Sequence, residues 1–334
     1  MSEKSFADLG RVEAIRQLFE GTPFKPFAEP VWFDAAQGDC ILSASRTLLE
    51  GTDFDLVYFP LKHLGYKSVV SVTGELYAAM AHPRTLSVVL GISSKLDFSH
   101  ISELWSGMVS AAREHGYKQL SLDLEPSRNG LAISVSATGS HSKLTSVRTP
   151  KPQSKDLICV SGSLGAAYLG MRVLEREKTR FEGGNSDRTA LEQYKMLVGA
   201  YLQPELSPGT VDALEEREII PSSGYFVTRG LADAILRLNR DCGLGAKIYA
   251  DKIPFEGNSF ALGRELDVDP VSAAMNGGDD CRLLFTVPIL KLEKFRADFQ
   301  TFDIIGHLAQ PEVGCALVTP DGVELPLSAP GWNI

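Results

Sequence analysis

The apolar positions along the chain change period several times, and each change marks an element. Leu9, Val12, Ile15 and Leu18 recur at helical spacing, which predicts a short amphipathic helix before Gly21-Thr22-Pro23 breaks the pattern. The run from Leu86 to Leu90 is continuously strand-like. Ile101, Leu104, Trp105, Met108, Val109 and Ala112 then mark one face of a helix that Gly116 ends. Leu131, Ile133, Val135 and Ala137 alternate with small or polar residues, as a half-buried strand does. Residues 147–154 contain Pro150 and Pro152 and read as a connection. Beyond it, Leu157-Ile158-Cys159-Val160 predicts a strand, residues 161–165 a turn, and residues 166–177 a helix. Residues 181–189, with Gly183-Gly184-Asn185, read as a loop. Leu231, Ile235 and Leu238 stripe a further helix closed at Gly243, and Pro320-Asp321-Gly322 turns a final hairpin.

Alternating strands and helices place the chain in the α/β or α+β class. The expected organisation is an N-terminal helix and loop over residues 1–30, one α/β domain over 31–149, and a second over 150–334. The pattern contains no internal repeat and no low-complexity tract.

Composition narrows the picture. A chain of 334 residues that is 44% hydrophobic can bury a sizeable core in two domains. The net charge of −9 excludes a general nucleic-acid binder, which needs a basic face. No apolar run approaches the roughly 18 residues of a membrane span, and Met1-Ser2-Glu3-Lys4-Ser5 lacks a signal-peptide core. The five cysteines contain no Cys-x-x-Cys pair, as expected of free thiols in a reducing, cytoplasmic setting. The six histidines show no ligand spacing.

Candidate chemistry lies in acidic motifs. Gly277-Gly278-Asp279-Asp280-Cys281-Arg282-Leu283-Leu284-Phe285 lies near the end of the chain, after Phe33-Asp34-Ala35-Ala36, Ser45-Arg46-Thr47-Leu48-Leu49-Glu50-Gly51 and Val227-Thr228-Arg229-Gly230-Leu231. They resemble the GGEDYELLF, GDDAAV, STDxLVEG and SDGL motifs of the thiamine-monophosphate kinase family, within the superfamily of aminoimidazole ribonucleotide synthetase. The resemblance covers nearly the whole chain. It implies two α/β domains, with the N-terminal sheets pairing into a barrel across a homodimer. It also implies a reaction in which thiamine monophosphate receives the γ-phosphate of ATP, with magnesium held by acids.

On this resemblance the metal candidates are Asp34, Glu75, Asp123, Asp279 and Asp280. Phe33 and Phe226 replace two acids of the family, while Arg46 and Arg229 stand at two more. Asp34, Asp123, Arg46 and Arg229 are the candidates for a catalytic role. The Val160-Ser161-Gly162-Ser163-Leu164-Gly165 stretch is similar to the family's VTGxLGxA element, so Gly162 and Gly165, with Arg148 before them, are nucleotide-binding candidates. Trp332 stands where the family stacks an aromatic on the thiamine ring.

Replacing an acid by arginine reverses charge where metal would bind. At an effective dielectric near 20, one unit charge about 4 Å from another contributes on the order of 4 kcal/mol. The expected protein is therefore a kinase homologue with weak or absent activity that keeps a phosphorylated ligand. The alternatives are an active kinase with a rearranged magnesium site and a structural or regulatory partner of an intact paralogue. Arg46 and Arg229 have two readings, either neutralising leftover acids or gripping phosphate in place of metal.

Overall fold

The computed structural model describes Glu13, residues 31–34, 40–184 and 189–331. The N-terminal pattern of Leu9, Val12, Ile15 and Leu18, the Ala35-Ala36 pair and Trp332 lie outside the described residues. Packing divides the chain into two compact units, one of residues 29–148 and 170–214, the other of residues 1–28, 149–169 and 215–334. The α/β class expected from the pattern is what each unit has, with one sheet apiece.

The first unit contains β1 (Val31–Asp34), β2 (Cys40–Leu49), α1 (Leu61–Ala78), β3 (His82–Ser93), α2 (Phe98–Glu114), β4 (Gln119–Ser127), β5 (Ala132–His141) and α3 (Lys143–Arg148). The sheet order is β1-β2-β5-β3-β4; only the β3–β4 pair is parallel. Register aligns Ala44 with Ala137, Leu48 with Ile133 and Val88 with Val135, and all six are buried on one face. Helix α1 covers that face, with its Leu76 against Gly139 of β5. The opposite face carries hydroxyls that pair across strands, Ser45 with Ser136 at 3.0 Å and Thr85 with Thr138 at 2.6 Å.

The stripe from Ile101 to Ala112 forms α2, whose N-terminus Asp97 caps by accepting the His100 N–H. The alternation from Leu131 to Ala137 forms β5. Helix α1 has no comparable stripe, because nearly every position after its first turn is buried. Its serine and threonine hydroxyls donate within the helix: Ser68 and Ser71 to carbonyls three residues back, and Thr73 to the Val69 carbonyl. Its buried Lys67 donates to the Tyr201 carbonyl at 2.9 Å, with the ammonium 3.8 Å from the Tyr201 ring centre.

Residues beyond this segment form β6 (Leu157–Val160), α4 (Ala166–Glu182), α5 (Thr189–Gln193), α6 (Lys195–Leu202), α7 (Thr210–Glu216), β7 (Ser223–Val227), α8 (Leu231–Cys242) and β8 (Gly245–Tyr249). They continue as α9 (Ser259–Leu266), α10 (Pro270–Asn276), β9 (Arg282–Val287), α11 (Leu292–Asp298), β10 (Asp303–Ala309), β11 (Cys315–Val318) and β12 (Glu324–Pro326). The second unit's sheet runs β12-β11-β8-β10-β6-β9-β7. Its core joins Ile158 and Val160 of β6 to Leu231, Ile235 and Leu238, the stripe of α8. That helix ends where the pattern placed its end, at Gly243 in the left-handed region. Helix α4 extends past the predicted loop start, through Glu182.

One buried polar contact of the first unit makes a pH prediction. The His115 Nδ1 lies 3.0 Å from the Tyr77 hydroxyl, and its Nε2 has no hydrogen-bond partner among the described residues. Burial holds this imidazole below its ordinary value near 6.5, against a weaker upward pull from Glu114. The folded state thus favours neutral His115, and that stability is present above about pH 6.5 and lost as pH falls through it. Melting temperature is expected to fall from pH 7.5 to 5.5, and the His115→Gln variant, followed by calorimetry, is expected to show a shallower fall.

Candidate functional site

In the second unit three turns converge at one end of the sheet. Antiparallel pairing sets Val160 of β6 beside Leu284 and Val227 of β7 beside Arg282 of β9. The turn after β6, the turn after β7 and the turn before β9 therefore share that end. They are also bonded to one another. The Ser161 N–H donates to the Leu283 carbonyl at 2.9 Å, and the Leu283 N–H to the Ser161 hydroxyl at 2.8 Å. The Asp279 N–H donates to the Thr228 carbonyl at 2.9 Å.

The strongest tie is Asp280. One carboxylate oxygen accepts the Gly165 N–H at 2.8 Å and the other the Ala167 N–H at 3.1 Å. This acid therefore occupies the N-terminus of α4, where unpaired N–H groups and the helix dipole favour negative charge. Its residue is 4% exposed. Burial pushes its carboxyl up to about 7, against the pull of the two N–H groups and of Arg282, while Asp279 adds repulsion.

Backbone strain collects here. Asp279 and Cys281 hold positive φ, of 64° and 52°, where a non-glycine residue costs roughly 1–2 kcal/mol. Gly165 and Gly230 are required by close approach as well as by φ. A Cβ at Gly165 would lie 2.8 Å from the Ala274 nitrogen, and one at Gly230 would strike the Met275 carbonyl.

The predicted site residues fall as follows. In the second unit Gly162, Gly165, Arg229, Asp279 and Asp280 come together at this sheet end. Arg229 is exposed and Asp279 half-buried. The N–H groups that a phosphate would use at Gly165 and Ala167 are already donated to Asp280. In the first unit Arg46 sits on the helix-covered face of β2, opposite Val135, and Glu75 is buried in α1. Asp123 pairs with Val89 on the other face of the sheet, exposed, with its Oδ1 accepting the Leu124 N–H. The sheet thus separates Asp123 from Arg46 and Glu75. Arg148 is exposed at the end of α3. Asp34 ends β1, and Trp332 lies outside the described residues.

Magnesium needs open oxygen ligands at about 2.0–2.1 Å in an octahedron and retains water. The donors of either unit do not fit that demand well. Asp280 is buried with both oxygens engaged, and Glu75 and Asp123 stand on opposite sides of a sheet. At the outer end of the parallel β3–β4 pair, Ile92, Leu96, Leu124, Glu125 and Pro126 line an open, mostly apolar depression of about 420 Å³.

Arg282 escaped the sequence reading although it lies inside a quoted motif. Its signal was there: GGEDYELLF carries glutamate at that place, so Arg282 is a further reversal of charge. Its guanidinium lies against Gly162, and its Nε–H donates weakly to the Ser163 carbonyl at 3.4 Å.

No protein-family model matches the chain. The thiamine-monophosphate kinase of Pyrococcus horikoshii is 26% identical over 328 residues, covering 96% of this chain and 94% of that protein. The chain is a distant relative of the thiamine-monophosphate kinases. The solved structure described as AaThiL complexed with AMPPCP and TMP superposes with a TM-score of 0.77 at 19% identity, covering 97% of each chain. The fold is that of these solved kinase structures. It is shared more widely: the hydrogenase maturation protein HypE of E. coli matches with a TM-score of 0.63 at 17% identity, over 95% of this chain and 97% of that one.

If Asp280 fastens the turns, its removal is costly. Asp280→Ala is expected to lower unfolding free energy by about 2–3 kcal/mol, since two buried N–H groups lose their acceptor. Asp280→Asn, with one acceptor oxygen, is expected to lose less. Urea denaturation with an unchanged m-value checks both.

Proposed function

We propose that this chain is a thiamine-monophosphate kinase-like protein that retains a phosphorylated ligand of the ATP or thiamine monophosphate class and transfers phosphate weakly or not at all. The observation that carries the reading is the engagement of Asp280 by the α4 N–H groups, beside the exposed Arg229, at the sheet end where the second unit's motifs meet.

Phosphoryl transfer depends on holding the γ-phosphate in line with its acceptor and on metal ions that neutralise developing charge. When bound, magnesium would supply that charge. The acids of this chain suit that role poorly, whereas Arg46 and Arg229 carry fixed positive charge that attracts phosphate without bridging it. Losing about 4 kcal/mol of charge stabilisation corresponds to roughly a thousandfold in rate. The depression beside β3 and β4 has the apolar lining a planar ring prefers.

The reading includes a cytoplasmic homodimer formed through residues 31–149. Its support is the edge strand β4, where Leu120, Leu122 and Leu124 are 37%, 39% and 51% exposed, and Val89 at 42% on the open sheet face. Among the described residues no helix is long and apolar enough to cross a membrane.

Titration calorimetry with AMPPCP and thiamine monophosphate is expected to show binding that changes little on adding magnesium. Turnover of ATP with thiamine monophosphate is expected to be at least about a thousandfold below that of the Pyrococcus horikoshii kinase assayed in parallel. Magnesium-dependent turnover within tenfold of that enzyme would instead establish the active kinase with a rearranged metal site. Absence of binding to either ligand would remove the reading.

Light scattering at micromolar concentration is expected to give a dimer mass, and Leu122→Glu with Val89→Arg is expected to shift it to monomer. A monomeric native protein would refute the dimer.

A further inference from the structure

We infer that Arg282 is a phosphate-binding residue, supplying at the end of the seven-stranded sheet the positive charge that the α4 N-terminus does not offer. The inference rests on the phosphorylated-ligand reading above and deepens it. The first N–H groups of α4 are the usual means of holding phosphate at such a turn. Here Gly165 and Ala167 direct theirs to Asp280, so an anion at this turn has to be met by side chains.

Arg282 is placed for that. It opens β9 beside Val227 of the edge strand β7, and the next residue, Leu283, is bonded to Ser161 after β6, so its backbone is held from both sides. Its guanidinium lies along the turn after β6, where a Cβ on Gly162 would be 3.3 Å from its Cζ and 3.4 Å from its Nε. The Nε–H is directed at the Ser163 carbonyl, which orients the planar fork. Gly162 has a φ of 91° and no side chain to come between this guanidinium and the mouth of the turn. A half-buried guanidinium is partly stripped of water, and its planar donors match the spacing of phosphate oxygens. Exposed Arg229, on the neighbouring turn, adds a second positive charge at the same end.

The test is titration calorimetry of the full chain with inorganic pyrophosphate and with AMPPCP, both without magnesium. Arg282→Gln is expected to weaken both by at least about tenfold, while Arg296→Gln, an exposed arginine on α11, leaves them unchanged. Pyrophosphate binding to Arg282→Gln within about twofold of native, with an unaltered melting curve, would overturn the inference while leaving the phosphorylated-ligand reading intact. A native protein that binds neither probe would overturn both. If Arg282→Gln does not fold, phenylglyoxal labelling of the native protein decides. Pyrophosphate is expected to protect the Arg282 peptide, and labelling unaffected by pyrophosphate would overturn the assignment.

Discussion

The carboxylate of Asp280 is the contact on which the rest of the candidate site depends. It takes two N–H groups from the first turn of α4 and belongs to the turn that opens β9. Through Asp279 and Thr228 the same turn is bonded to the one that starts α8. Three turns thereby become one body. The left-handed Asp279 and Cys281 are unfavourable alone, and the closed set of hydrogen bonds holds them there. A carboxylate buried this deeply loses its water, a large cost. Two N–H groups, the helix dipole and the nearby Arg282 offset part of that cost, and the carboxyl still stays raised to about 7.

That arrangement decides between two chemical uses of an acid. A carboxylate can face outward and hold a hydrated magnesium ion, or face inward and replace the anion that a helix N-terminus attracts. Asp280 does the second. The guanidinium groups nearby then change what the site can recognise. Bound magnesium would lend positive charge to the transferring phosphate, whereas an arginine offers directional N–H groups from a fixed place. Binding needs only attraction to a phosphate; transfer needs stabilisation that grows as charge shifts. Arginine at acid positions can therefore retain the first while losing the second.

Elements were legible where one face alone is buried. Helix α2, strand β5 and helix α8 each meet solvent on one side, and their stripes stood out in the chain. Helix α1 did not, because burial on nearly all sides removes the polar half of the pattern, and its valines and threonines suggest strand as readily as helix. The same limit applies to the site. Motifs named Gly162, Gly165, Arg229, Asp279 and Asp280 as candidates, yet spacing contains no information on whether they meet or on which oxygens an N–H already occupies. Nor could it show that Asp123 and Glu75 lie on opposite sides of one sheet. Sidedness follows from register, which depends on partners distant in the chain.

Framework and chemistry are constrained by different forces, and this chain separates them. At Gly165 and Gly230 a side chain would collide with backbone of α10, so sterics alone forbid change without moving a helix. An acid on the rim faces no such barrier. Exchanging it for arginine alters charge and length while leaving the backbone path free to persist. Resemblance in such a chain is thus strongest where packing dictates the residue and weakest where the ligand does. The glycines and the inward acid specify how the turns close. Arg229 and Arg282 leave fixed positive charge at that sheet end of the second unit, at motif positions where the resemblance implies acids.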